Sequence, residues 1–321
     1  MDVSVAFPPG RDLVDYASLA ESLGYKRVWV YDSPALYEDV WVALSQIAEN
    51  TDTIGFGPAV LVPSLRHVLT TAAAIATLEA QAPGRLSVAI GTGFTGRRTL
   101  GQKPLSIAAL ERYVSDLKGL LAGEAVVVDG AKVKLIAPAG FGAERPIRTP
   151  ILVAANGPKG VAVAHALGDG LMCVSRPQPG FSWCAALVFG TVLEEGEAFD
   201  SPRVLDALGP AIAVIYHASY EASPSGVDAL PGGAAWRAEI EKIAPDARHL
   251  AVHEGHLVEV SELDRRHIAP QLGALTFSGT QAQLRARLLR LADEGLTEIV
   301  YQPLGSDIPS ELDAFAKMAG L

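Results

Sequence analysis

The sequence predicts an α/β protein, a single (β/α)8 TIM barrel with two insertions. Three observations lead there. Short runs rich in β-branched residues alternate with segments of helical periodicity along nearly the whole chain, the pattern of parallel strands joined by crossover helices. Gly24, Gly168 and Gly295 stand where helical segments stop, just before the next strand. The 321 residues, 49% hydrophobic and 19% charged, also suit one barrel of roughly 250 residues plus decorations.

In chain order, strand 3–7 leads to helix 12–23, strand 27–31 to helix 40–49, and strand 53–61 to helix 67–80. Strand 86–91 leads to helix 105–121. Then comes an insertion at about 125–149, whose VVVDGAKVKL run with Asp129 and Gly130 at its centre reads as a hairpin. Strand 151–154 and helix 159–166 resume the alternation. Strand 170–174, helix 181–196 and strand 211–216 continue it. A second insertion at about 217–277 is expected to form a lid or a subunit contact, with the Pro- and Gly-rich piece 222–233 as its mobile part. Helix 280–294, strand 298–302 and helix 310–319 complete eight strands within one domain, 1–321.

Charge and cysteine content narrow the function. A net charge of −10 leaves no basic footprint for nucleic acid or an anionic membrane, so the expected partner is a small-molecule substrate. The amino-terminal MDVSVAFPPGRD carries no export signal, and no apolar run is long enough to span a membrane. A cytoplasmic protein is expected. Cys173 and Cys184 lie outside any CxxC or metal-spaced cluster, which argues against a disulfide framework or structural zinc.

In a parallel barrel the loops at the carboxyl ends of the strands build the active site, which puts GPAVLVPSLRH (57–67) and GTGFTGRR (91–98) on one face. Gly57, Pro58, Ala59 and Val60 interrupt a continuous strand as a proline-marked bulge. In GTGF, Gly91 and Gly93 flank Thr92 and let backbone amides approach a bound group. Asn156, Gly157, Pro158 and Lys159 turn a strand into a helix. Free amides, the helix dipole and the Lys159 ammonium there suit an anion, with Gly157 free to take a left-handed conformation. His249, His253 and His256 lie at helical spacing, but HEGH is not HExxH, and no metal is expected.

The stretches LAESLGYKRVWVYDS, IGFGPAVLVPSLRHVLTTAAAIATLEAQAPGRLSVAIGTG, ILVAANGPKGVAVAHALGDGLM and FSGTQAQLRARLLRLADEGLTEIVYQP together resemble the luciferase-like monooxygenase superfamily. Within it they are similar to the deazaflavin (coenzyme F420)-dependent branch that includes methylenetetrahydromethanopterin reductase. The resemblance implies a cis peptide between Ala59 and Val60 as a backstop behind the ring. It also implies cofactor contacts from Asp32, Gly91, Thr92 and Gly93, and a phosphate site at Asn156, Gly157, Pro158 and Lys159. Substrate-side candidates are Trp41, Phe94 and Arg176. Phe94 stands where the sugar-phosphate dehydrogenase subgroup has an acidic residue, and Ser33 where several deazaflavin enzymes have a proton-transferring histidine. Tyr37, Glu38 and His67, with Asp39, are the remaining candidates for general acid. The resemblance thus implies a coenzyme F420-dependent oxidoreductase acting as a homo-oligomer, a dimer in related proteins. The alternatives are a reduced-FMN-dependent monooxygenase and a non-catalytic flavin- or deazaflavin-binding protein.

Overall fold

The computed structural model describes residues 1–174 and 176–321. Its elements run β1 (Asp2–Phe7), α1 (Leu13–Ser22), β2 (Arg27–Val30), α2 (Val40–Asn50), β3 (Gly55–Pro58), α3 (Val68–Gln81), β4 (Val88–Ile90), α4 (Phe94–Arg98) and α5 (Ile107–Ala122). The hairpin β5 (Val126–Val128) and β6 (Ala131–Val133) precedes β7 (Ile151–Ala154), α6 (Pro158–Leu167), β8 (Gly170–Cys173) and β9 (Cys184–Phe189). Next in the chain are β10 (Val192–Leu193), α7 (Pro202–Ala222), α8 (Gly233–Ile240), α9 (Arg248–Val252), α10 (Glu262–Arg265), β11 (Gly279–Thr280), α11 (Gln281–Asp293), β12 (Glu298–Gln302) and α12 (Ile308–Ala319).

Eight of these strands form one parallel sheet in the order β3-β2-β1-β12-β9-β8-β7-β4. Parallel bridges from Phe56 to Leu86 and from Leu61 to Ile90 join its two edges, which closes the barrel. The seam is tight. A β-carbon on Gly57 would fall 1.6 Å from the Ser87 carbonyl oxygen, so only glycine fits where β3 meets β4. Residues alternate between faces along each strand. Val3, Val5, Val28 and Val30 point outward into the helix layer, with Leu44, Ile75, Leu110 and Phe315. Ala6, Trp29, Ala89, Leu152, Met172, Ala185 and Val300 fill the interior.

Local signals in the sequence set many helix ends. Ser106 caps α5, which stops at left-handed Gly123. Thr280 and Gln283 form a capping box on α11. Helices end at Gly24, Gly168 and Gly295 as expected, Gly24 and Gly295 left-handed and Gly168 extended, with φ −80. The Asp129-Gly130 turn closes an antiparallel hairpin, as the sequence predicts.

Two expected elements are exchanged. The seventh barrel strand is β9, inside the segment 181–196 expected to be helical, and 211–216 lies inside the 21-residue helix α7 rather than forming a strand. The second excursion therefore leaves the barrel after β9 rather than at residue 217. It builds its own core around Leu208, Ile212, Tyr216, Trp236 and Ile240. The piece 222–233 is packed there too, through a 3-10 turn at Pro224–Ala229 that buries Val227. Strands β10 and β11 pair in parallel at its neck, Val192 opposite Gly279 and Leu193 opposite Thr280. Both cysteines are buried, and no disulfide joins them. Among the described residues no helix is long and apolar enough to cross a membrane.

Candidate functional site

The interior cluster combines the large Trp29, Tyr31, Leu152, Met172 and Val300 with the small Ala6, Ala59, Ala89 and Ala185, and Tyr37, Val60, Ala154 and Leu257 pack against it. The Tyr31 hydroxyl hydrogen-bonds the buried Gln302 side chain across the mouth. Burial and the neighbouring Tyr37 push the Tyr31 hydroxyl well above its ordinary range.

The bulge after β3 packs against this cluster through Ala59 and Val60. The Ala59–Val60 peptide is cis, as the resemblance implies. The glycines of GTGFTG make room for this bulge. A β-carbon on Gly91 would lie 2.8 Å from Val60 Cγ2, one on Gly93 2.4 Å from Val62 Cγ1, and one on Gly96 3.0 Å from the Asp32 carbonyl. Gly93 also has φ +79, which favours glycine independently. Beneath the bulge lies Asp32, buried, accepting from the Val62 amide (3.3 Å) and paired with Arg66 (2.7 Å). Burial raises the Asp32 carboxyl, with Arg66 pulling the other way. Arg66 also pairs with Asp39 (2.7 Å), so one guanidinium ties the loops after β2 and β3 together.

The turn after β7 has the form expected of an anion site. The first helical residue of α6 is Pro158, and no backbone carbonyl among the described residues accepts from the amides of Gly157, Lys159 or Gly160. Lys159 is exposed and makes no ion pair among the described residues. The Asn156 side chain is spent locally, its Oδ1 accepting from the Val174 amide at 3.2 Å. Gly157 differs from expectation. Its φ of −103 is extended rather than left-handed, because it serves as the helix N-cap, and open space lies where a β-carbon would stand.

A segment of the excursion lies across the mouth. Leu257 packs into the interior cluster, and its carbonyl accepts from Gln302 Nε2 at 3.5 Å. The His256 carbonyl accepts from the Tyr37 hydroxyl at 2.5 Å, and His256 Nε2 lies 3.3 Å from Thr95 Oγ1 on α4. Behind this strap sits a buried histidine cluster. His253 pairs with Glu221 (2.8 Å) and His217 with Asp264 (3.2 Å), while the ring of His256 lies 5.1 Å and 5.9 Å from those of His253 and His217. Burial, then the two neighbouring imidazoles, hold His256 well below the ordinary histidine range, so it is neutral. His249 lies apart, against Gly101.

The proton-donor candidates separate. Tyr37 lies against the interior cluster, its hydroxyl pushed up by burial. Glu38 is exposed, and His67 is an exposed N-cap of α3 whose Nδ1 accepts from the Leu69 amide (3.1 Å). Asp39 likewise caps α2. Of the substrate-side candidates, Trp41 packs into the outer helix layer, and its indole N–H is buried without an acceptor among the described residues. Phe94, the first residue of α4, and Arg176, after β8, are both exposed. Sequence reasoning missed Arg66, His217, Glu221 and Arg98, the last paired with Glu221 at 2.9 Å. Arg66 follows the bulge directly, a position that could have drawn notice. His217, Glu221 and Arg98 come together only through tertiary packing.

Residues 3–298 match the model of the luciferase-like monooxygenase family. The chain is 25% identical over 326 residues to 5,10-methylenetetrahydromethanopterin reductase of Methanolobus tindarius, covering 97% of this chain and 95% of that protein. It is 33% identical over 187 residues to F420-dependent glucose-6-phosphate dehydrogenase of Beutenbergia cavernae, a match that spans 51% of this chain and only about half, 53%, of that relative. Its fold is similar to that of the coenzyme F420 dependent tetrahydromethanopterin reductase from Methanopyrus kandleri, with a TM-score of 0.68 at 17% identity, covering 99% and 97% of the two chains.

Proposed function

The chain belongs to the luciferase-like monooxygenase family, and from that premise we propose that it is a coenzyme F420-dependent oxidoreductase moving a hydride between the deazaflavin and a small organic substrate. The observation that carries this reading is the pairing of two features on one rim. The bulge at Ala59 and Val60, packed against the interior cluster at the carboxyl end of β3, suits the back of a flat ring, and a turn with free amides at Gly157, Lys159 and Gly160 suits a phosphate. Relatives named as F420-dependent favour the deazaflavin over FMN.

A bound deazaflavin supplies a carbon centre for two-electron hydride exchange and does not readily form the oxygen adduct of flavins. The protein's residues do the rest. Ala59 and Val60 would back the ring, and Gly91, Thr92 and Gly93 would hold its edge. Asp32 with Arg66 braces the bulge, and Lys159 adds a positive charge beside the phosphate. Tyr37, the one proton-donor candidate against the interior cluster, keeps its proton through the neutral range. A homo-oligomer, taken as a dimer, belongs to the same proposal.

Titration of the purified protein with each cofactor, followed by absorbance, tests the reading. We expect micromolar or tighter binding of coenzyme F420 and weaker binding of FMN. Preference for FMN, with oxygen uptake when a reductant is added, would place the protein among the monooxygenases. Binding of F420 without turnover across a broad substrate panel would make it a cofactor-binding protein.

A further inference from the structure

Resting on the oxidoreductase reading, we propose that Tyr37 binds the carbonyl oxygen of a ketone or aldehyde substrate, and that the His256 carbonyl holds that place as a built-in cap, released when the 256–257 peptide turns over. The cap accepts from the Tyr37 hydroxyl at 2.5 Å. Burial keeps that hydroxyl protonated, so it is a donor, and the partner it suits is an acceptor oxygen. Its position fits the substrate side. Tyr37 packs against the interior cluster, with 6.4 Å between its ring centroid and that of Tyr31, and Ala59 of the bulge belongs to the same cluster. A group arriving at the mouth therefore meets a hydroxyl whose hydrogen is already given to the chain itself.

The backbone shows how the cap comes off. The Val258 amide donates to the Gly255 carbonyl at 2.9 Å, closing a four-residue turn with His256 and Leu257 at its centre. Leu257 has φ +59, and among the described residues only it and Asp129 of the hairpin combine a side chain with a left-handed backbone. His256 is not left-handed, so the turn has the type II form, which favours glycine where Leu257 stands. Turning the central peptide over converts the turn to type I, which leucine accepts without strain, and keeps the bond between Gly255 and Val258. That central peptide is the one whose carbonyl belongs to His256. A single motion thus relieves Leu257 and takes the oxygen off Tyr37. The rest of the turn stays anchored, the His256 imidazole by Thr95 at 3.3 Å and the Leu257 carbonyl by Gln302 Nε2 at 3.5 Å. Strained backbone of this kind collects at ligand clamps and switch regions. An incoming oxygen gives Tyr37 the same bond while Leu257 gives up its strained conformation, which favours the exchange.

Saturation-transfer NMR with cyclohexanone on the cofactor-free protein tests this, with methylenecyclohexane as a probe of the same outline and no acceptor. Leu257→Gly and Leu257→Ala both remove the isobutyl group, but glycine favours the left-handed turn that keeps the cap on. Cyclohexanone should therefore bind the Leu257→Gly protein at least about fivefold more weakly than the Leu257→Ala protein, the lower end of the cost of a left-handed residue that carries a β-carbon. Methylenecyclohexane should bind the two alike. Tyr37→Phe, which keeps the ring, should abolish the difference for cyclohexanone, an outcome that a merely structural role for Leu257 would not produce. Melting curves show that each variant is folded. No saturation transfer to the Leu257→Ala protein, equal cyclohexanone affinity for the two Leu257 variants, or a difference that survives Tyr37→Phe would each overturn the assignment. F420 titration of the same samples separates the two readings. The cap can fail with cofactor affinity intact, and the cofactor can fail to bind while the cap still responds to cyclohexanone.

Discussion

Gly157 shows how a residue's reason can differ from the one its sequence suggests. Its value at the turn lies in open space, not in a left-handed backbone. A side chain there would project into the region where the proposed phosphate binds, while φ −103 accepts any residue without strain. Gly157→Val is therefore expected to weaken cofactor affinity by at least about tenfold, roughly 1.4 kcal/mol, with little change in melting temperature. Unchanged affinity in the folded variant would place the phosphate elsewhere. Gly93 is the opposite case. Its left-handed φ and the 2.4 Å approach to Val62 make it a folding requirement, although GTG reads as a cofactor loop. Sequence alone does not separate a glycine that admits a ligand from one that admits a neighbouring strand, since both lack the same β-carbon.

The strap over the mouth carries the pH dependence of its own closure. An imidazole held neutral by burial binds fewer protons folded than unfolded, so stability rises with pH across the window between its two pKa values. For His256 the contribution is complete above the ordinary value of 6.5 and is lost as pH falls below it. The groups around it are His217, His253 and Thr95, with Glu221, Asp264 and Arg98 behind them. Protection factors over residues 253–258, exchange rates referred to the intrinsic rate at each pH, should fall between about pH 7.5 and about pH 5.5, and His256→Gln should flatten that dependence. Identical protection factors at both values would show that the strap does not respond to this group. At the scale of elements the sequence was readable where turns punctuate it. Seven of the eight expected strands match barrel strands because Gly, Pro or Asp-rich breaks bound them. The eighth, AIAVIY, is a buried helical run instead. An apolar segment covered on all sides has no face to reveal its period, and Pro210 just before it reads as a strand boundary while lying inside α7.

Across the whole molecule the two ends of the barrel divide the work. At the amino-terminal end Glu298 accepts from Arg27 (3.0 Å), Trp29 (3.0 Å) and Trp183 (2.6 Å), a buried plug beside a cavity of about 530 Å³ that faces away from the mouth loops. That end holds the barrel closed, and the mouth is left to the loops. The hairpin excursion adds exposed Val127, Ile136 and Phe141, apolar surface on one insertion that suits the proposed self-association. Sedimentation equilibrium at micromolar protein is expected to return twice the chain mass. A monomer at every concentration would remove the dimer from the proposal. Barrel class and the location of the mouth were legible in the sequence, since both derive from the alternation of elements. The strap and the histidine cluster were not, because each joins segments distant in the chain.

The neck formed by β10 and β11 makes the excursion separable from the barrel. The chain leaves at Val192 and returns at Gly279 as hydrogen-bonded neighbours, a spacing of about 4.8 Å. Everything between them is a cassette in a socket one strand-spacing wide. A segment of different sequence whose ends lie that close together would fit the same socket and bring its own ceiling to the mouth. The turn after β7, the proposed phosphate site, would be untouched by the exchange. The architecture is thus a chassis on which the ceiling of the mouth is replaceable as a unit while the proposed cofactor fittings stay fixed.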